Sequence, residues 1–176
     1  MKETPYFKQA QLMLRVMPHV AAEKCFALKG GTAINFFVRD MPRLSVDIDL
    51  TYLPLEPRDA TLANIGEALH RVAVGIRKTV PGSTVQEGQA RGAGYVYKLS
   101  VSTVHATIKI EPNPVFRGTV FLPVERELSD RAEALFGLSV AAGTLAIGDL
   151  YGGKLCAALD RQHPRDFFDI AILMEK

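Results

Sequence analysis

The sequence predicts an α+β domain, and three observations support this fold class. Apolar residues recur at helical spacing in the first residues, in a long central segment and in two segments near the carboxyl end. Between these segments lie short stretches in which apolar and polar residues alternate, as they do in half-buried strands. The chain has 176 residues, of which 48% are hydrophobic, so we expect a single domain over residues 1–176.

The predicted order begins with a helix, a strand and a second helix. Residues 5–24 carry apolar side chains at near-helical spacing, and Pro18 is the point at which this helix can be interrupted. Residues 26–28 form a short apolar strand that ends in the glycine turn of residues 29–32. Glycine lets backbone N–H groups approach a phosphate, although glycine pairs also serve as plain turns.

The next predicted strand, residues 44–53, carries two acids on one face. Because strand side chains alternate, Asp47 and Asp49 point one way while their apolar neighbours point the other. A third carboxylate, Glu111, follows the strand of residues 104–110 in the same alternation. Carboxylates grouped in this way are the usual protein ligands of a two-Mg²⁺ site, although an Asp-x-Asp pair alone can also lie solvated on an exposed strand face.

The remaining elements are a long helix, three strands and two closing helices. In chain order we expect a helix at residues 58–79, strands at 83–89, 95–101 and 104–110, a loop-rich passage around Pro123, and helices at 145–159 and 165–174. Gly92 and Gly94 mark the turn before the second of these strands, and Pro112 and Pro114 are expected to end the third. Core motifs thus occupy residues 28–111, and a helical part occupies residues 145–176.

Composition excludes several classes of protein. Charged residues are scattered through the first twenty positions, so no signal peptide or membrane span is predicted and we expect a cytoplasmic protein without membrane contact. The formal charge of +2 is too small to indicate nucleic-acid binding by itself. Cys25 and Cys156 lack the spacing of a zinc site or a redox motif, and we expect both to be small core residues.

Charged residues on the last two helices have two explanations each. Lys154 and Arg161 lie seven residues apart on one helix face, where they could grip phosphates or simply meet water. Arg165 and Asp169 are four residues apart, with Asp166 beside the helix start, and could serve only to stabilise that helix. None of these residues decides the function alone.

Taken together, the motifs resemble those of AbiEii/AbiGii-type nucleotidyltransferases, the toxins of type IV toxin–antitoxin pairs in the polymerase-β-like superfamily. The glycine motif LKGGTAI at residues 28–34 precedes the paired-aspartate motif RLSVDIDL at residues 43–50. IKIEPN at residues 108–113 is similar to the third-carboxylate strand of the family. KLCAALDR at residues 154–161 and RDFFDI at residues 165–170 are similar to its late motifs, so the resemblance covers residues 28–170.

The resemblance implies a polymerase-β-like fold, a mixed β-sheet flanked by helices, and it assigns roles to the motif residues. Asp47, Asp49 and Glu111 would be the catalytic and metal-binding acids. The implied nucleotide-binding residues are Gly30, Gly31, Thr32, Arg43, Lys154, Arg161, Asp166 and Asp169. Which of the last two is the functional late acid stays open at this point.

The same resemblance implies cofactors and partners. Two Mg²⁺ ions, or Mn²⁺ in their place, would assist transfer of a nucleoside monophosphate from an NTP to an acceptor hydroxyl. In some family members the acceptor is the 3′ end of tRNA, and the toxin is paired with an antitoxin. We expect a monomer.

Two other functions compete with this interpretation. A nucleotide-binding or partner-binding module on the same fold, without catalysis, would bind an NTP and release it unchanged. A phosphatase of the haloacid dehalogenase class would use Asp47 as its nucleophile, but it leaves the glycine turn unexplained. Many relatives continue past the last motif, whereas this chain ends at Lys176. If the part beyond that motif binds the acceptor, we expect an intact active centre that binds the acceptor weakly.

Overall fold

The computed structural model describes residues 4–89 and 95–174, which form helices packed on one mixed sheet. The predicted turn at Gly92 and Gly94 lies outside the described residues. The elements are α1 (Pro5–Ala21), β1 (Phe26–Lys29), α2 (Gly30–Ala33) with a π-helical continuation (Ile34–Val38), β2 (Ile48–Tyr52), α3 (Arg58–Thr79), β3 (Thr84–Gln89), β4 (Val96–Ser102), β5 (Thr107–Arg117), β6 (Val124–Glu127), α4 (Asp130–Phe136), β7 (Ala141–Thr144), α5 (Ile147–Arg161) and α6 (Pro164–Met174).

The sheet has seven strands in the order β3-β4-β5-β2-β1-β7-β6. The pairs β2–β5 and β1–β7 are parallel, whereas β1–β2, β3–β4, β4–β5 and β6–β7 are antiparallel. The predicted α+β class with a mixed sheet flanked by helices is therefore confirmed. The strands that carry the predicted motifs, β1, β2 and β5, lie side by side at the centre of the sheet.

Helix α1 covers part of the sheet and runs through Pro18 without a break. Thr4 caps its start, where the Thr4 hydroxyl accepts a hydrogen bond from the N–H of Phe7 at 3.3 Å. Leu14, Val16 and Met17 are fully buried on its inner side. Pro18 lies in the last turn and the helix continues past it to Ala21, so the interruption considered from the sequence does not occur.

Strand β5 continues through the two prolines that were expected to end it, so that prediction is wrong. The antiparallel register between β4 and β5 reaches only to Leu99 and Ile110. Beyond Ile110, from Glu111 opposite Asp49 onward, β2 is the one strand among the described residues that pairs with β5. Proline is tolerated where one side of a strand has no partner to bond, and Pro112 and Pro114 both lie in that stretch.

The passage after β5 holds more regular structure than its sequence suggested. We expected a loop-rich passage, but β6, α4 and β7 lie within residues 124–144. Both strands are four residues long and β6 is largely exposed, so neither gives the alternating pattern on which a sequence-based prediction depends. Strand β7 forms because its backbone pairs with the buried strand β1.

Two further expectations change in the structure. The strand predicted at residues 44–53 is only Ile48–Tyr52, so Asp47 lies just before it and is exposed. Cys25 is half-buried and packs against the core, and burial raises the pKa of its thiol to about 11. Cys156 is exposed, and the prediction that it belongs to the core is therefore wrong.

No helix within the described residues combines the length and apolar character needed to cross a bilayer.

Candidate active site

The strand register aligns three charged residues across the centre of the sheet. Lys29 at the end of β1 lies opposite Asp49 in β2, and Asp49 lies opposite Glu111 in β5. Residues in register on neighbouring strands project to the same face, so a lysine and two carboxylates form a row. The sequence identified the two acids but not Lys29, because a register cannot be read from alternation within one strand.

Lys29 and Asp49 of this row line a cleft of about 640 Å³ between the sheet and α5. From the sheet side Lys29, Gly30, Asp49, Thr51 and Asn113 line it. Helix α5 supplies the opposite wall. Its contribution to the lining includes Leu150, Gly153, Lys154, Cys156, Ala157, Asp160 and Arg161.

Gly30 begins α2 directly after β1, at a position that only glycine fills without strain. Its φ is +70°, in the left-handed region, and a Cβ placed there would come within 2.7 Å of the Oδ2 atom of Asp49. The backbone of Gly30 therefore passes close against the Asp49 carboxylate. A bulkier residue would strain the backbone and displace that carboxylate at once.

We expect Gly30→Ala to lower the activity of this site by about tenfold or more and to reduce stability by about 1–2 kcal/mol, because it adds backbone strain and moves Asp49. Gly82→Ala is the matched control: Gly82 has a φ of +71° with no atom within 4 Å of an added Cβ. Equal loss of activity in both variants would show that strain alone explains the effect. Denaturation curves and activity measurements on the two variants test the difference.

The second and third residues of the glycine motif lie beneath the cleft. Gly31 is buried, and a Cβ there would come within 2.7 Å of the Arg43 guanidinium and 2.9 Å of the Ser45 hydroxyl. Thr32 is 1% exposed and donates its hydroxyl to the backbone carbonyl of Asp47 at 2.6 Å. Thr32 therefore fixes the backbone that precedes β2 and does not line the cleft.

Asp169 is the centre of a buried polar network below the glycine motif. It is fully buried and accepts hydrogen bonds from Arg43 Nε at 2.8 Å and from Asn35 Nδ2 at 3.1 Å. Lys154 Nζ lies 3.1 Å from its Oδ2 atom. Asn35 also donates to the carbonyl of Gly31 at 2.8 Å, so the network holds the glycine motif against α6. Burial works against the charge of Asp169, but the hydrogen bonds from Arg43 and Asn35 prevail and hold its pKa below the ordinary value.

Asp166, one turn earlier on α6, is held by two cations from α5. Arg161 contacts it through Nε at 2.6 Å and Nη2 at 3.0 Å, and Lys154 Nζ lies 3.0 Å away. The hydrogen bonds from Arg161, aided by Lys154 and opposed by burial, lower the pKa of Asp166 to about 2. Neither late acid meets solvent, so the simple helix-surface explanation for them is wrong.

A group whose pKa is lowered by folding stabilises the protein above its unfolded pKa and loses that contribution as the pH falls through the folded value. For Asp166 this window runs from its ordinary value near 3.8 down to about 2. We expect the free energy of unfolding to fall by about 2 kcal/mol across it on account of Asp166. Urea denaturation at stepwise pH should show a shallower fall for Asp166→Asn, whereas the exposed Asp59→Asn should keep the native slope.

The negative charge of Asp49 is disfavoured in the folded protein. Burial raises the pKa of Asp49, the nearby carboxylates of Asp47 and Glu111 add to the rise, and Lys29 opposes it. Burial also lowers the pKa of Lys29, with Asp49 acting in the other direction. Within residues 4–89 and 95–174, no three His, Cys, Asp or Glu side chains converge as a ready-made metal centre. The oxygen chemistry of the three acids nevertheless fits a hard divalent cation, which would relieve their mutual repulsion.

The structure separates the sequence-predicted residues into two sets. Gly30, Asp49, Lys154 and Arg161 line the cleft, with Glu111 beside Asp49 in register and Asp47 exposed just before the strand. The remaining predicted residues, Gly31, Thr32, Arg43, Asp166 and Asp169, lie beneath or beside it and contact one another or the cleft residues. Sequence reasoning missed Lys29, Asn35, Asn113, Phe116 and Asp160. A polar Asn35 four residues after Gly31 in an apolar helix was the available signal for one of them.

Comparisons with known proteins agree with this architecture. The family profile described as nucleotidyl transferase AbiEii toxin of a type IV toxin–antitoxin system matches residues 11–176. The structure of MenT4, a nucleotidyltransferase toxin from Mycobacterium tuberculosis H37Rv, is similar at a TM-score of 0.71 and 15% sequence identity. The match covers 98% of this chain and 59% of that chain, and at this identity it shows a shared fold. No curated protein sequence matches the chain.

Proposed function

The chain belongs to the AbiEii family of nucleotidyl transferase toxins of type IV toxin–antitoxin systems, and from that premise we propose that it transfers a nucleoside monophosphate from an NTP to an acceptor hydroxyl. One observation carries the proposal: Lys29, Asp49 and Glu111 form a row across the sheet, and Lys29 and Asp49 line a nucleotide-sized cleft together with Gly30. The family match gives no support to the phosphatase alternative.

The chain's own residues hold and orient the triphosphate in this proposal. Lys29 places a positive charge in the cleft beside the reacting phosphate, and Gly30 presents backbone without a side chain in the way. Arg43, Lys154 and Arg161 are three cations facing the two carboxylates of Asp166 and Asp169, which leaves one positive charge in excess. Lys154 and Arg161 both line the cleft, and the Arg161 side chain is 63% exposed, so this positive charge is within reach of a bound triphosphate.

Asp49 and Glu111, with Asp47, would hold Mg²⁺ or, in its place, Mn²⁺. The bound metal would activate the attacking hydroxyl and neutralise charge on the departing pyrophosphate. In the transfer the acceptor oxygen bonds to the α-phosphorus, the bond from that phosphorus to the pyrophosphate breaks, and the hydroxyl proton is released. Thr32 acts as a positioning residue, because its hydroxyl fixes the carbonyl of Asp47.

We further propose an RNA acceptor, tRNA in the first instance, a cognate antitoxin as partner and the cytoplasm as the place of reaction. The structure of MenT4 is that of a nucleotidyltransferase toxin, and this chain spans about three-fifths of its length, 59%. The acceptor and the antitoxin therefore have to be tested directly with this chain. Growth arrest on expression, relieved by a neighbouring gene, would support the partner.

The proposal is tested by incubating the purified chain with Mg²⁺, total tRNA and each NTP in turn, radiolabelled at the α-phosphate. We expect label on RNA from the native chain with at least one NTP, none after chelation of the metal, and at least about 10²-fold less from Asp47→Ala. Tight NTP binding without label on any species would instead favour the non-catalytic module. Labelling that survives both chelation and Asp47→Ala would contradict the assigned site.

A further inference from the structure

The mouth of the cleft carries an aromatic ring that the transfer chemistry does not use. Phe116, near the end of β5, lines the cleft and is 73% exposed. Among the described residues that line this cleft, Phe116 is the only one with an aromatic side chain. An exposed phenylalanine gains nothing from burial in the free protein, so a ligand that covers the ring is a physical reason for it to be there.

The side chain of Asn113, three residues before Phe116, fixes the backbone that carries this ring. The Oδ1 atom of Asn113 accepts hydrogen bonds from the backbone N–H groups of Val115 and Phe116, both at 2.9 Å. These two bonds also determine the orientation of the Asn113 amide, because only its oxygen can accept them. Its Nδ2 group remains as a donor, and Asn113 itself lines the cleft. The mouth therefore offers a flat apolar surface beside a fixed hydrogen-bond donor.

The position of the ring suits one part of a nucleotide. Glu111 lies opposite Asp49, and Arg117 lies opposite Tyr52, so Phe116 is within about three residues of Asp49 along the sheet. Three strand residues span roughly 10 Å. A ribose with its α-phosphate bridges such a gap when the phosphate lies beside Asp49, which places the base of the nucleotide at the mouth.

We propose that Phe116 is the surface on which the base of the bound nucleotide stacks, and that Asn113 donates a hydrogen bond to the edge of that base. The inference rests on the proposed function and identifies the two residues that contact the base of the nucleotide. A base presents a flat π-face to an aromatic ring, and stacking of this kind is strong and tolerant of sequence. Because the Asn113 oxygen is already occupied, the site selects a base carbonyl or ring nitrogen rather than an amino group.

The sequence contains no tryptophan, which gives a direct test. In Phe116→Trp the new indole is the sole tryptophan, and we expect its fluorescence to be quenched on addition of the NTP that supports transfer. Inorganic tripolyphosphate, which has no base, should compete with the NTP but leave the emission unquenched. Phe167→Trp is the matched control, because Phe167 is an exposed phenylalanine on α6, 50% exposed, that does not line the cleft.

Kinetic variants provide a second measurement. Phe116→Leu keeps the apolar volume but removes the π-face, and we expect the KM for the NTP to rise about tenfold while kcat stays within about twofold. Phe116→Tyr should retain the native KM. Asn113→Ala should raise KM as well, because the turn that fixes the ring is lost.

The outcomes separate the inference from the function on which it rests. If NTP binds to Phe116→Trp by equilibrium dialysis without a change in emission, the base lies elsewhere and the inference is overturned, while transfer by the native chain still stands. An unchanged KM in Phe116→Leu would overturn it equally. If the native chain binds no NTP at all, the proposed function fails together with the inference.

Discussion

Replacing Asp49 by Asn is expected to abolish nucleotidyl transfer, with a loss of at least about 10²-fold, while the fold stays intact. Asp49 is the predicted acid that both lines the cleft and stands in register between Lys29 and Glu111. The amide has the same shape as the carboxylate but cannot neutralise a divalent cation. Only the charge is removed, so a loss of activity would be chemical in origin.

Asp49→Asn is expected to affect stability in the opposite direction to its effect on activity. Burial and the neighbouring carboxylates of Asp47 and Glu111 disfavour the charged form of Asp49, so a neutral side chain relieves an existing cost. We therefore expect Asp49→Asn to be as stable as the native chain or more so. Transfer of radiolabel and thermal denaturation, measured on the same preparation, test the two halves of the prediction.

Asp59→Asn is the matched control, because Asp59 is exposed in the first turn of α3 and lies outside the cleft. It should keep full transfer activity. If Asp49→Asn also kept full activity, the reaction would have to occur elsewhere on the molecule. If Asp49→Asn lost both activity and stability, the carboxylate would be structural rather than catalytic.

The row of Lys29, Asp49 and Glu111 could be predicted only in part from the sequence. Alternation within a strand identifies which face Asp49 and Glu111 occupy, and the period of two makes that prediction robust. It does not identify the neighbouring strand or the register. The presence of Lys29 in the row follows from β1 pairing with β2, which is a contact between strands and leaves no mark in the local pattern.

The buried ionic network around Asp169 could not be predicted from the sequence. Arg43 and Asp169 are 126 residues apart in the chain and bind each other in the fold. From the sequence, Asp169 was equally well explained by Arg165, four residues earlier on the same helix. Local spacing cannot show that α6 turns its two aspartates inward, because an inward acid is stable only when cations from other elements meet it.

Asp169→Ala is expected to lower the free energy of unfolding by about 3–5 kcal/mol, the cost of breaking a buried ion pair from one side. Asp169 is fully buried, and Arg43 and Asn35 lose their carboxylate partner when it is removed. Lys154 keeps Asp166 as a second partner, so the larger part of the cost falls on Arg43. Chemical denaturation measures the change, and Asp59→Ala, at an exposed site, should alter stability by less than about 0.5 kcal/mol.

A double-mutant cycle tests whether the pair itself carries this stability. Arg43→Met leaves Asp169 with Asn35 and Lys154, and Asp169→Leu leaves Arg43 with the carbonyl of Leu44. If the two residues act together, the double variant will cost less than the sum of the single variants by about 1–3 kcal/mol. Additive costs would show that each side chain acts independently, and the network would then not be what holds α6 against the glycine motif. Because Arg43 also lies against Gly31, a coupled pair implies that loosening α6 shifts the motif beside Asp49, and transfer should fall in step with stability.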